Sequence, residues 1–305
     1  MNDESIDMMT LPGGRKVAVH RVQRGDSSRV VVFCHAAPGS GAFDPDPEQT
    51  KAHDAQLIAP ERPGYGASEP VGPDEWATVS GAADDIAAII ASTGISGPVG
   101  VVGWSAGGRV ALALAARHPD IVDRVVILST PAPNEEVPWI PQEQVDAVES
   151  LRGKASEEYA ALVEQLAQAF PGGVVSIRPE DLLPLLGGGP ADEGALARPG
   201  ARDRLDGMLA GAHAQGLLGV ASDIVGYTLL PWGFEPGDVR AKVLLLYGAE
   251  DPIANHRHGS WWQQHLPDAR LEIVPDAGHL LVIPMWDRVL SYSRTWRREQ
   301  NARPD

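Results

Sequence analysis

The stretch 101-VVGWSAGG-108, Val101 to Gly108, sets one serine between glycines, after a run of valines and before 109-RVALALAARHP-119. The pattern Gly103-x-Ser105-x-Gly107 makes physical sense as a short strand entering a tight turn that opens straight into a helix. A strained turn of that kind brings backbone too close for larger side chains at both flanks, which is a reason for glycine there. It also holds the Ser105 hydroxyl where a substrate reaches it.

Working outward, strand signals alternate with helical ones. The segment 15-RKVAVHRV-22 alternates around Val17, Val19 and Val22, as a half-exposed edge strand does. The continuous apolar run 29-RVVVFCH-35 predicts a strand buried on both faces. A further short strand runs into a Pro/Gly loop in 55-AQLIAPERPGYG-66, and 81-GAADDIAAIIASTG-94 spaces Ile86, Ile89 and Ile90 for a helix ending near Gly94. After the Ser105 helix comes the strand 122-VDRVVILST-130. The rhythm resumes with strand 242-KVLLLYGAEDP-252, helix 255-NHRHGSWWQQHLP-267, strand 269-ARLEIVPDAGH-279 and a closing helix over 285–299. This alternation predicts an α/β fold with a mostly parallel central sheet and helices on both faces.

Residues 134–235 break the rhythm. The segment 156-SEEYAALVEQLAQAF-170 puts Tyr159, Leu162, Val163, Leu166 and Phe170 on one helical face, 203–230 reads as helical, and no strand pattern is visible. The domain organisation expected is a core over 1–133, a helical insertion over 134–235, and the rest of the core over 236–305. The "GGGP" run at 187–190 reads as a local hinge or loop.

A serine hydroxyl is a poor nucleophile without a base, and the base needs an orienting acid. Of nine histidines, most have ordinary readings: His118 at a helix C-terminus, His256, His258 and His265 on a polar helix, His20 in an edge strand, His53 and His213 in polar or inserted segments. His279 follows a strand on a Gly-containing loop, at the sheet edge where open α/β sheets place ligand groups. At the end of the strand before it stand Glu250 and Asp251. Asp251 is the better candidate, since Pro252 fixes the turn behind it.

With these residues assembled, the chain resembles the α/β-hydrolase-fold serine hydrolases over nearly its whole length outside the insertion. The segment 35-HAAPGS-40 resembles the family's His-Gly-x-Pro motif, and 61-ERPGYGAS-68 its Asp-Arg-Pro-Gly loop. "GWSAGG", "YGAEDPI" and "AGHLL" match the elbow, acid and histidine segments in order. The resemblance implies that 134–235 is a helical cap, and that the backbone N–H groups of Ala37 and Ala106 form an oxyanion hole. It gives His35 a loop-holding role. Ala36 stands where the family usually has glycine, and Glu61 where it usually has Asp. Serine as nucleophile argues against dehalogenase and epoxide hydrolase chemistry.

The reaction implied is hydrolysis of an ester-like acyl bond (carboxylic ester, lactone or related) of a small apolar substrate through Ser105, His279 and Asp251. The alternatives are carbon–carbon bond hydrolysis or lyase chemistry, a perhydrolase-like activity on the same scaffold, or a non-catalytic ligand-binding member. Trp139, Phe170, Leu182, Leu183, Leu186, Met208, Tyr227 and Trp232 are candidate lining residues of an apolar pocket above Ser105.

Composition is that of an ordinary globular protein and does little to choose a small-molecule substrate. Hydrophobic residues make up 43% and charged residues 22% of the 305 residues. The formal net charge of −16 disfavours nucleic acid and anionic membranes as partners, since both need basic patches. The single cysteine, Cys34, reads as a small buried hydrophobe. No zinc spacing, G-x-G-x-x-G or Walker loop is present, so neither metal nor cofactor is expected. The acidic N-terminus lacks the features of a signal peptide, and a cytoplasmic protein is expected.

Overall fold

The computed structural model describes residues 3–23, 29–72, 75–95, 97–142, 145–146, 158, 161, 163–164, 183–184 and 186–294. Among these residues, eight strands form one sheet: β1 Asp3–Thr10, β2 Lys16–Gln23, β3 Val30–Cys34, β4 Gln56–Pro60, β5 Val99–Trp104, β6 Val122–Leu128, β8 Lys242–Gly248 and β9 Ala269–Val274. A ninth extended segment, β7 Ala214–Leu217, lies outside it. The spatial order is β1-β2-β4-β3-β5-β6-β8-β9. The β1–β2 and β2–β4 pairs are antiparallel, and the remaining pairs are parallel.

The two central strands explain this arrangement. β5 is buried along its whole length, and β3 at every residue after Val30. A parallel strand covered on both faces must be apolar throughout, which the sequences VGVVGW and VVVFC satisfy. Helices α2 Val79–Ser92 and α3 Ala106–Arg117 pack on one face together with α7 His256–His265. On the other face lie α1 Pro47–Ala52 and α8 Trp286–Tyr292. Each fully buried aliphatic or aromatic side chain in these layers contributes about 1.5–3 kcal/mol against the cost of ordering the chain. α3 is buried from Gly107 to Ala115 without a break. It is therefore a core helix rather than an amphipathic surface one, and this fixes its first turn rigidly against the sheet.

Two expectations need correction. β1 is an additional antiparallel edge, formed by an acidic, exposed segment with no alternation to reveal it, so β2 is an inner strand. The region 203–230 is not continuously helical. Two helices, α5 Ala201–Ala212 and α6 Leu218–Leu229, flank the extended β7, where Gly216 takes a φ of 72° that a helix does not allow. The short α4 Glu193–Leu196 precedes them. Tyr159, Leu162, Leu166 and Phe170, expected on one helical face, lie outside the described residues. Among the described residues, no helix is long and apolar enough to cross a membrane.

Candidate active site

Ser105 sits at the junction of β5 and α3 with φ 54° and ψ −122°, a conformation that L-residues rarely adopt. Its backbone N–H donates to the Leu128 carbonyl at 2.8 Å, which pins the turn to the neighbouring strand. The flanking glycines are steric requirements. A Cβ on Gly103 would lie 2.5 Å from the Gly107 carbonyl oxygen, and one on Gly107 would collide with the Cys34 carbonyl. Ser105 is 8% exposed.

His279 and Asp251, on the loops after β9 and β8, form a fully buried pair. The acceptor-only carboxylate fixes the tautomer: His279 Nδ1–H donates to Asp251 Oδ2 at 2.9 Å and Oδ1 at 3.1 Å. Asp251 Oδ1 also accepts the backbone N–H groups of Ile253 and Ala254 at 2.8 and 2.9 Å. Burial pushes its carboxyl up, but the neighbouring His279 and the Ala254 N–H outweigh burial and hold it at about 2. Glu250, the rival acid, is exposed.

His279 Nε2 is buried and has no hydrogen-bond partner among the described residues. Among the described residues, no hydrogen bond joins it to Ser105 Oγ. The two loops are nonetheless tied together, because Trp104 Nε1–H donates to the His279 carbonyl at 2.9 Å. Trp104, stacked on Phe43 at 5.7 Å, is a site residue that the motif reading passed over as the variable position of the pentapeptide.

The loop after β3 is held by Arg62. Its guanidinium donates to the His35 and Ala36 carbonyls and, from Nε and Nη2, to Asp223 Oδ2 on α6 at 3.1 and 2.7 Å. Tyr65 Oη–H donates to the same Asp223 oxygen at 2.8 Å. Burial alone would lower the Arg62 pKa, but Asp223 first and the tyrosines after it raise it well above its ordinary value. His35 spends both ring nitrogens on the loop: Nδ1–H donates to Ala36 O at 2.8 Å, and Nε2 accepts the Arg62 N–H at 3.2 Å. Burial, with Arg62 nearby, drives its pKa well below the usual value, so it is a neutral strut. Ala36 is fully buried without positive φ, so this backbone accepts its Cβ. The Ala37–Pro38 bond is cis. Ala106 opens α3, where a helix leaves its N–H unpaired, and Ala37 lies in the loop that Arg62 holds.

Glu61 is structural: its carboxylate takes the His20 Nε2–H at 2.9 Å and the Ala67 N–H at 2.9 Å. Burial pushes the Cys34 thiol up to about 12, which agrees with a small buried hydrophobe. His258 corrects its surface reading. It is 3% exposed, and its Nδ1 accepts the Ala132 N–H at 3.1 Å.

The segment after 186 packs directly on His279. A Cβ on Gly187, whose φ is 88°, would lie 2.5 Å from Ile253 Cδ1 and 3.1 Å from His279 Cγ. Asp192 Oδ1 accepts the Leu280 N–H at 2.8 Å, and its Oδ2 accepts the Gly189 N–H at 3.0 Å. The "GGGP" run is thus a close-approach surface, not merely a loop. Of the expected lining residues, Phe170 and Leu182 lie outside the described residues, and Leu186 and Met208 are core members. Trp139, Tyr227 and Trp232 line a cavity that Ser105, Asp251 and His279 do not border.

Comparison with known proteins agrees with this architecture. A family model described as alpha/beta hydrolase fold matches residues 29–172. The chain is 27% identical over 266 residues to the pimeloyl-[acyl-carrier protein] methyl ester esterase of Nitrosomonas europaea, covering 86% of this chain and 92% of that protein. The match to the enzyme of the same name from Chromobacterium violaceum, at 29% identity, covers 60% of this chain and spans less than two thirds of that protein, 63%. A 2-(acetamidomethylene)succinate hydrolase of Mesorhizobium japonicum is 27% identical over 87% of this chain and 88% of its own length. Among solved structures, a thermophilic esterase from Thermogutta terrifontis superposes with a TM-score of 0.67 at 21% identity, covering 95% of this chain and 96% of that one. The chain has the α/β-hydrolase fold.

Proposed function

We propose that the chain hydrolyses a carboxylic ester of a small molecule through an acyl-enzyme on Ser105. The observation that carries this reading is the buried His279: its Nδ1–H is fixed by Asp251, and its Nε2 lone pair is left without a partner among the described residues. A buried acceptor with no donor costs free energy unless it has a use, and a proton from Ser105 Oγ–H is that use. Apo geometry of such pairs is often open and tightens on substrate.

In the proposed cycle, His279 Nε2 takes the Ser105 proton as Oγ attacks the ester carbonyl. Asp251 stabilises the imidazolium that forms. The N–H groups of Ala37 and Ala106 receive the oxyanion, aided by the N-terminal end of the α3 dipole. His279 then protonates the departing alkoxide, and a water that it activates releases the acid. Residues 134–235 act as a cap over the site, clamped to the core by Asp223 and Asp192. The names of the relatives, two of them ester-cleaving, support an ester over a ketone substrate.

A chain-length series of p-nitrophenyl esters, assayed with wild type and Ser105→Ala, tests the reading. Expected is turnover with a chain-length optimum that disappears in the variant. Wild-type inactivity on every ester would overturn ester hydrolysis and move attention to carbon–carbon cleavage.

A further inference from the structure

One turn beyond Ser105, α3 carries a buried cation that the proposed reaction does not use. Arg109 is 5% exposed. Its Nε–H and one Nη2–H donate to the Pro131 carbonyl at 3.2 and 3.1 Å, and one Nη1–H reaches the Tyr227 carbonyl at 3.4 Å. A guanidinium has five N–H donors, so two are left over among the described residues. The group lies 4.6 Å from the Trp232 ring centroid and 5.8 Å from that of Trp139. No carboxylate of a described residue pairs with it. Arg62, equally buried, has Asp223 as counter-charge. The two arginines accordingly shift in opposite directions, with burial pulling Arg109 down to about 10.

A buried guanidinium served only by carbonyl dipoles and ring faces is costly when nothing anionic joins it. Arg109 borders a cavity of about 590 Å³, whose other walls include Pro133, Trp139, Ile140, Val145 and Trp232. Trp139 contributes a second unused donor, since its Nε1–H is buried with no acceptor among the described residues. Arg109 and Trp139 offer only donors, which select for an acceptor, while the buried Tyr227 hydroxyl, also without a partner among the described residues, can donate as well as accept. Their setting joins aromatic and apolar walls to the polar Asn134, Gln142 and Thr228. Glu135, exposed at the rim, together with the chain's net charge of −16, disfavours a polyanion. A carboxylate fits the planar guanidinium fork, and a cavity of this volume suits a small organic molecule.

We propose that this cavity binds a monocarboxylate with an apolar body, its two oxygens on Arg109 and the Trp139 Nε1–H and its hydrocarbon against Trp232. The carboxylate comes either from a free organic acid or from the far end of the ester substrate. The binding claim does not depend on the hydrolytic reading.

Tryptophan fluorescence titration of the full chain with 3-phenylpropionate, set against its neutral isostere 3-phenylpropionamide, tests it directly. Expected is saturable quenching by the acid, with the amide weaker by about tenfold or more. Arg109→Met should weaken the acid by a similar factor without changing the amide, and Trp139→Phe should weaken it by about threefold. If Arg109→Met does not fold, the acid–amide ratio and Trp139→Phe still decide. Equal affinity for acid and amide, an unchanged acid affinity in the variants, or no saturable binding would overturn the proposal.

The source is read from hydrolysis of mono-p-nitrophenyl glutarate against p-nitrophenyl butyrate. An Arg109→Met loss of about tenfold in kcat/KM confined to the glutarate ester assigns the carboxylate to the substrate. Equal effects on both esters, with 3-phenylpropionate still bound by wild type, assign it to a free acid. Absence of ester turnover with binding intact would refute the hydrolytic reading alone.

Discussion

Replacing Asp223 by asparagine removes the counter-charge of Arg62 while keeping the side chain's shape. The two side chains are 4% and 5% exposed and meet at 2.7 Å. Breaking a buried pair by neutralising one partner costs about 3–5 kcal/mol, because the remaining charge stays buried. In a chain of 305 residues, each kcal/mol corresponds to about 2 °C, so Tm should fall by about 6–10 °C. The loss concentrates on one place, since the same guanidinium holds the His35 and Ala36 carbonyls next to Ala37. kcat on the best p-nitrophenyl ester should therefore fall with Tm. The control is Arg62→Met with Asp223→Leu. An apolar replacement of a buried pair is often neutral or stabilising, so Tm should largely recover. kcat should stay low, because the loop has lost its donors. Differential scanning fluorimetry and steady-state kinetics read both quantities. An Asp223→Asn variant within about 2 °C of wild type, or a double variant that regains both Tm and kcat, would refute Arg62 as the residue that positions this loop.

Two further outcomes follow from the site geometry. Asp251→Asn should lower kcat by about 10⁴, through loss of the fixed His279 tautomer. Because the folded carboxyl, at about 2, lies below its ordinary 3.8, its stabilisation of about 2 kcal/mol is fully present above about pH 4 and is lost as pH falls through about 2. An acid-unfolding curve of wild type against the variant should show that segment only in wild type. Gly187→Ala should cost at least about 1–2 kcal/mol for a non-glycine residue at positive φ, and should reduce kcat by pressing on His279 and Ile253. An Ala variant with wild-type kcat and Tm would show that this contact is slack.

The parallel core was legible because its strands are continuous valine, leucine and isoleucine runs, and only a sheet covered on both faces gives a use to VGVVGW and VLLLYG. Ser105 was a candidate from its glycine-flanked pattern and Asp251 and His279 from position, each just past a strand end, and the structure brings Asp251 and His279 within hydrogen-bond distance. β1 was hidden, since an exposed strand on an antiparallel edge needs no hydrophobic alternation. The Arg62–Asp223 and Asp192–Leu280 ties were hidden for a different reason. Residues 161 and 88 positions apart leave no local pattern. Gly187 carried a weak signal in its glycine run, but nothing in 187-GGGP-190 names His279 as what it must approach. Trp104 sits at a position that the motif treats as free, and its bond to the His279 carbonyl depends on the folded distance between two loops.

The most direct test of the account is intact-mass and peptide-level mass spectrometry after reaction with a fluorophosphonate probe. Wild type should gain one adduct, located on Ser105. Ser105→Ala should gain none at that peptide, and His279→Gln should label more slowly by at least about 10³ while retaining the wild-type circular dichroism spectrum. Wild type that stays unlabelled at Ser105, or His279→Gln that labels at the wild-type rate, would contradict a Ser105 nucleophile activated by His279.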